Sequence, residues 1–137
     1  MKLFHTSSVT GLKYLYPKVS PAYKHIGAVV FASPSKEFSA CFGGYWDDKQ
    51  ASILTYHSED SDEPKYYNLT KVIFQLNDTL YMDEPCSLYE VDIRDFRALE
   101  YEDGLEYISN RKVRVLNEMK FDKWKDLLQY VNVHVDF

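Results

Sequence analysis

A mixed α+β domain is the fold class this sequence predicts, and three observations predict it. Many short runs are continuously apolar or alternate in polarity, two stretches carry helical spacing, and turn residues punctuate nearly every junction. The 137 residues fit a single domain over 1–137 and leave little room for a second. Hydrophobic residues at 45% and aromatics at 16% supply a packed core and argue against global disorder.

Lys2 to His5 reads as a first strand, followed by a turn-rich stretch with Gly11, Pro17 and Pro21. Gly27 to Ala32 has the unbroken apolar character of a buried strand. Ser33 then offers an N-cap and Pro34 a first helical residue, predicting a short helix through Phe38 to Phe42 that stops at Gly43-Gly44. Ala51 to Tyr56, Lys71 to Leu76 and Ser87 to Asp92 are further strands, and the acidic tract from Ser58 to Pro64 is a solvated loop. Glu106 to Ser109 and Lys112 to Leu116 are two extended pieces separated by Asn110-Arg111. Asp122 can cap a second helix whose Trp124, Leu127, Leu128 and Val131 recur at helical spacing, and Val131 to Asp136 then alternates like a half-buried strand.

The formal charge of -5 argues against a basic nucleic-acid platform. Cys41 and Cys86 are the only cysteines; without a Cys-x-x-Cys pair they exclude a zinc knuckle or a thioredoxin-like site, and they read as reduced thiols. Met1-Lys2-Leu3-Phe4-His5 has no apolar signal core, and the longest apolar run, Ile26 to Ala32, is too short to span a bilayer. The expectation is a cytoplasmic protein with no membrane partner. His57 with Asp60 and Asp62 does not match the spacing of an EF-hand loop, so no metal is expected there. The 12 Tyr and 8 Phe suit half-buried sheet faces and ligand clefts, and most are expected to pack sheet faces.

Two polar residues stand out. His5 ends the first strand beside the hydroxyls of Thr6, Ser7 and Ser8, an edge suited to a polar ligand; on local sequence alone it reads as a surface histidine. Glu106 opens an apolar strand, where a carboxylate facing a cleft can stabilise developing positive charge; alone it reads as an exposed strand-end charge.

Taken together and in order, three blocks resemble the ADP-ribosyltransferase family, in the branch with a His, Tyr, Glu type of signature. That branch includes the poly(ADP-ribose) polymerases and the small bacterial rifampin transferases. Phe4-His5-Thr6-Ser7-Ser8 resembles its first-strand histidine motif. Val29-Val30-Phe31-Ala32-Ser33, with Ser39-Ala40-Cys41-Phe42 behind it, is similar to its strand-then-helix block. Leu105-Glu106-Tyr107-Ile108, followed by Val113 and Val115, looks like the block with the catalytic glutamate, and Ser87 to Val91 resembles a core strand of the small bacterial members.

The resemblance implies split antiparallel sheets clasping NAD, as a substrate, in the crevice between them. It implies that His5 bonds the adenosine-side ribose, that Glu106 stabilises the oxocarbenium-like ribose as nicotinamide leaves, and that Thr6, Ser7, Phe31, Ser39, Phe42 and Trp46 help to bind the dinucleotide. The implied activity is mono-ADP-ribosyl transfer or NAD glycohydrolysis, with a protein or small-molecule acceptor favoured over nucleic acid by the charge. The sequence departs from the pattern in three places. Thr6 stands where Gly is usual, while Val30 and Phe42 stand where stacking tyrosines are usual, with Tyr45 and Trp46 as nearby substitutes. These departures suit an alternative, a catalytically inactive module of the same fold that binds a nucleotide or a protein. An RNA 2'-phosphotransferase ranks last, since the neighbours of His5 are Phe4 and Thr6 rather than arginines.

Overall fold

Short strands, mostly antiparallel, and two short helices make up the chain, consistent with the mixed α+β class. The computed structural model describes residues 1–57, 69–78, 80–99 and 104–136. The acidic tract predicted as a loop, including Asp60 and Asp62, lies outside them. Among the described residues no helix is long and apolar enough to cross a membrane.

The centre of the first sheet is β7 (Cys86–Asp92), a strand buried on both faces along most of its length. It pairs antiparallel with β1 (Lys2–Ser7) on one side and β11 (Asn117–Phe121) on the other. In a second sheet β4 (Ala28–Ala32) lies between β3 (Lys18–Val19) and β9 (Tyr107–Ser109), with β8 (Arg97–Ala98) outside β9. In the third sheet β6 (Leu69–Leu76) pairs antiparallel with β5 (Ala51–His57) and parallel with β12 (His134–Asp136). A two-stranded piece joins β2 (Tyr14–Leu15) to β10 (Val113–Arg114).

The first two sheets meet at a single bridge. Phe4 N–H donates to the Ser33 carbonyl at 2.7 Å, and Ser33 N–H returns the bond to Phe4 at 2.8 Å. No longer ladder joins β1 to β4 among the described residues, so the strands are stapled at one end and separate beyond it.

This bridge explains why the first helix does not start where predicted. The Ser33 carbonyl is committed to Phe4 and cannot accept the first bond of a helix, and α1 (Lys36–Ala40) starts two residues later than predicted. Ser35 is the cap, its Oγ accepting the Phe38 N–H at 3.0 Å. Cys41 closes the helix, so Gly43 and Gly44 are not its stop signal. Their role is close approach: a Cβ on Gly43 would lie 2.3 Å from Trp124 Cδ1, and one on Gly44 would lie 3.1 Å from Cζ3.

The second helix, α2 (Trp124–Tyr130), is likewise capped through tertiary contact. Lys123 occupies the cap position, and Asp122 does not act as the cap. The first N–H groups, of Trp124 and Lys125, donate instead to the Glu84 and Met82 carbonyls at 2.8 and 3.0 Å. Trp124, Leu127 and Leu128 then bury among Ala40, Cys41 and Phe74. Trp124 Nε1 donates to the Ala40 carbonyl at 2.7 Å, which fixes α2 to the end of α1. Val131 ends the helix, so the final strand is shorter than the alternation suggests.

Cys41 and Cys86 are free and buried in this core, and burial pushes both thiols up, Cys86 to about 11. Among the described residues, half of the chain's twelve tyrosines are exposed. Tyr14, Tyr16, Tyr45, Tyr56, Tyr81 and Tyr130 are exposed, whereas Tyr89 is fully buried.

The Gly43–Trp124 contact makes a graded prediction. Gly43→Ala forces a methyl into a fixed indole and is expected to cost about 1–3 kcal/mol in urea unfolding. Gly44→Ala, with its wider clearance, should cost less; equal and negligible effects would contradict the packing described.

Candidate functional site

Where β1 and β4 separate, a cleft of about 670 Å³ opens. Its walls come from β1, β4, α1, the segment after α1, β5 and the residue just before β9.

His5 is half-buried at the staple, with Nδ1 2.6 Å from the Phe31 carbonyl. A carbonyl can only accept, so Nδ1 donates, and in the neutral ring Nε2 keeps the lone pair. Burial pushes the imidazole below its ordinary value; the Phe31 carbonyl opposes this, and the charge of Lys18 adds to it. The surface histidine suggested by local sequence is thus a neutral, built-in acceptor.

Thr6 points to the opposite face of the strand, as period two requires. It is buried, and its Oγ1 lies 3.0 Å from the Oγ of buried Ser39, which ties β1 to α1. Ser7 returns to the first face and leaves the cleft. It lines a second cavity of about 230 Å³, and its Oγ accepts the Val9 N–H at 3.0 Å.

The aromatic wall grows out of the core. Trp124 and Phe74 have ring centroids 5.6 Å apart, and Phe74 and Trp46 are 5.3 Å apart. Trp46 stacks on Phe42 at 5.5 Å with planes 18° apart, and Phe38 meets Phe42 edge-on at 5.4 Å. Trp46 Nε1 donates to the Cys41 carbonyl at 2.7 Å, which fixes its ring. Phe42 is 40% exposed, so the stack presents an aromatic face to the cleft. Val30, in contrast, is buried with Leu3, Leu15 and Tyr89 and contributes no ring.

Glu106 also lines the cleft and is only 8% exposed, so it is not the solvated strand-end charge its neighbours suggest. Its carbonyl accepts the Leu99 N–H at 2.9 Å, and Leu105 and Ile108 on either side are buried. The fold therefore brings His5, Thr6, Phe31, Ser39, Phe42, Trp46 and Glu106 to one cavity, with Ser7 left out.

No protein-family model, no curated protein and no solved structure matches this chain.

Sequence reasoning missed several lining residues. Phe38 lies four positions before Phe42 in the stretch the sequence reads as helical, a spacing that could have revealed it. Ser20, Ser52 and Ile53 come from remote segments with no local signal. Asp47 and Asp48 add to the carboxylate of Glu106, while among the described residues no Lys or Arg lines this cleft.

The lowered His5 value has a consequence for stability. The unfolded chain takes up this proton near pH 6.5, whereas the folded chain resists it. The unfolded state then binds more protons, so this contribution is complete above 6.5 and is lost as pH falls through the folded value. His5 is expected to titrate below 6.5 by NMR, and His5→Gln should remove part of the acid-side loss in stability. Titration above 6.5 would contradict the neutral assignment.

Proposed function

We propose that the cleft binds NAD and that the protein is a mono-ADP-ribosyltransferase or NAD glycohydrolase of the ADP-ribosyltransferase-like split-sheet fold. The observation that carries this reading is the gathering of seven of the eight residues named from the family resemblance around one cavity. They come from three separate stretches of chain and meet beside the point where β1 and β4 separate.

In this reading Nε2 of neutral His5 accepts a ribose hydroxyl, an interaction that protonation would abolish. The Phe42–Trp46 stack holds a flat ring, and a cationic pyridinium suits both its π face and the acidic lining. As the bond from the ribose anomeric carbon to the nicotinamide nitrogen breaks, its electron pair passes to the ring. Nicotinamide leaves neutral, and positive charge moves to the ribose. Glu106, fixed in a buried wall, stabilises that charge more strongly than the neutral ribose of the ground state. Water or an acceptor then bonds to the anomeric carbon and releases a proton. A cytoplasmic setting and a protein or small-molecule acceptor belong to the same proposal.

Val30 favours a second reading. Its burial leaves the cleft with one wall lacking the usual ring, which suits a module that binds nucleotide without turnover. The RNA 2'-phosphotransferase reading receives no support from a cleft lined by carboxylates.

Saturating NAD is expected to stabilise the protein by about 2–3 kcal/mol in thermal unfolding. Nicotinamide release by the wild type should fall about 100-fold or more in Glu106→Gln, by analogy with the loss of a single transition-state electrostatic partner. Binding without release would select the inactive module, absence of any shift would defeat both readings, and release that survives Glu106→Gln would show the carboxylate is misassigned.

A further inference from the structure

The segment from Val9 to Leu12, between β1 and β2, is tied down by side chains remote in sequence. Gly11, at a left-handed φ of 78°, donates its N–H to Glu118 Oε2 at 2.8 Å. Ser87 Oγ donates to that same oxygen at 2.6 Å. Fully buried Tyr89 donates its hydroxyl to the Val9 carbonyl at 2.5 Å and accepts the Leu12 N–H at 3.3 Å. Burial alone would raise the Glu118 carboxyl, but the bonds from Ser87 and Gly11 hold it below its ordinary value, so both donors meet a full charge.

Leu12 is the strap's one apolar anchor, packed against the Leu3, Leu15 and Tyr89 cluster, while Val9 is 46% exposed and Gly11 is at the surface. Three hydrogen bonds from two side chains hold the rest in place. The strap forms a wall of the second cavity through Val9 and Leu12, and that cavity shares His5, Ser20 and Phe31 with the main cleft. The two cavities therefore adjoin along the His5 wall.

We infer that Tyr89 and Glu118 are positioning residues, which clamp the Val9–Leu12 strap so that the second cavity holds the non-reacting, adenosine end of the dinucleotide. The inference rests on the NAD reading above. Neither residue touches the reacting atoms. Their effect falls on the affinity for the far half of the ligand and not on bond cleavage.

The test compares NAD with nicotinamide mononucleotide, which lacks the adenosine half, as substrates for nicotinamide release. Tyr89→Phe deletes one hydroxyl, and Glu118→Ala deletes the acceptor, whereas Glu118→Gln keeps an oxygen for Gly11 and should rescue in part. In variants with wild-type circular dichroism, KM for NAD should rise about tenfold with kcat changed less than about twofold, the pattern of lost uniform binding. The preference for NAD over the mononucleotide, as a ratio of kcat/KM, should fall by a similar factor. An unchanged preference in folded Tyr89→Phe would overturn the inference and leave the strap merely structural, with the NAD reading intact. Failure of the wild type to bind NAD or release nicotinamide would remove that reading, and the inference with it. Should Glu118→Ala not fold, Tyr89→Phe alone decides.

Discussion

Two backbone hydrogen bonds between Phe4 and Ser33 join sheets that share no other ladder among the described residues. Much of the geometry follows from that staple. A longer β1–β4 ladder would have zipped the sheets closed and left no cleft. The bridge works together with two side-chain ties, His5 to Phe31 and Thr6 to Ser39, to fix β1 against β4 and α1. Because the Ser33 carbonyl is bonded to Phe4, the helix is capped at Ser35, and Ser39 arrives opposite Thr6. His5 reinforces the joint by donating to Phe31 across the gap. The bond that fixes its ring also sets its tautomer, so architecture and chemistry share one contact.

The opposite wall depends on a different constraint, the indole of Trp124. Gly43 and Gly44 have no side chains because that ring occupies their space, and the Nε1 bond to Ala40 fixes where α1 ends. The aromatic series from Trp124 through Phe74 and Trp46 to Phe42 then carries the rigidity of the core outward to a face that is partly exposed. A ring held in this way loses little further freedom when a flat ligand stacks on it. In the proposed reaction this wall holds the ligand, and Glu106 acts on the charge that appears only as the bond breaks.

The parts of this fold legible in the sequence were those governed by local pattern. Buried β4 read as an apolar run, β7 read as a strand, and α2 read from the spacing of Trp124, Leu127 and Leu128. What escaped depends on distant partners. Both helix caps shifted because a remote backbone, that of Phe4 for α1 and of Met82 and Glu84 for α2, decided where the chain could turn. The strand β11 was missed because Glu118 and Lys120 interrupt its apolar character, and pairing with β7 is what makes it a strand. At the site, His5, Glu106 and the aromatic residues were singled out through order along the chain; all of them line the main cleft, and Ser7 lines the adjoining second cavity. Ser52 and Ile53 reach the cleft only through the packing of β5, which no local motif announces.

The central claim is that one stapled, divergent strand pair creates a dinucleotide site. Backbone amide chemical shifts recorded during an NAD titration test it most directly. The account predicts concentration-dependent shifts at Thr6, Ser33, Ser39, Phe42 and Glu106, with a saturable isotherm common to all five. Shifts confined to other faces of the molecule, with these five amides unmoved, would contradict it.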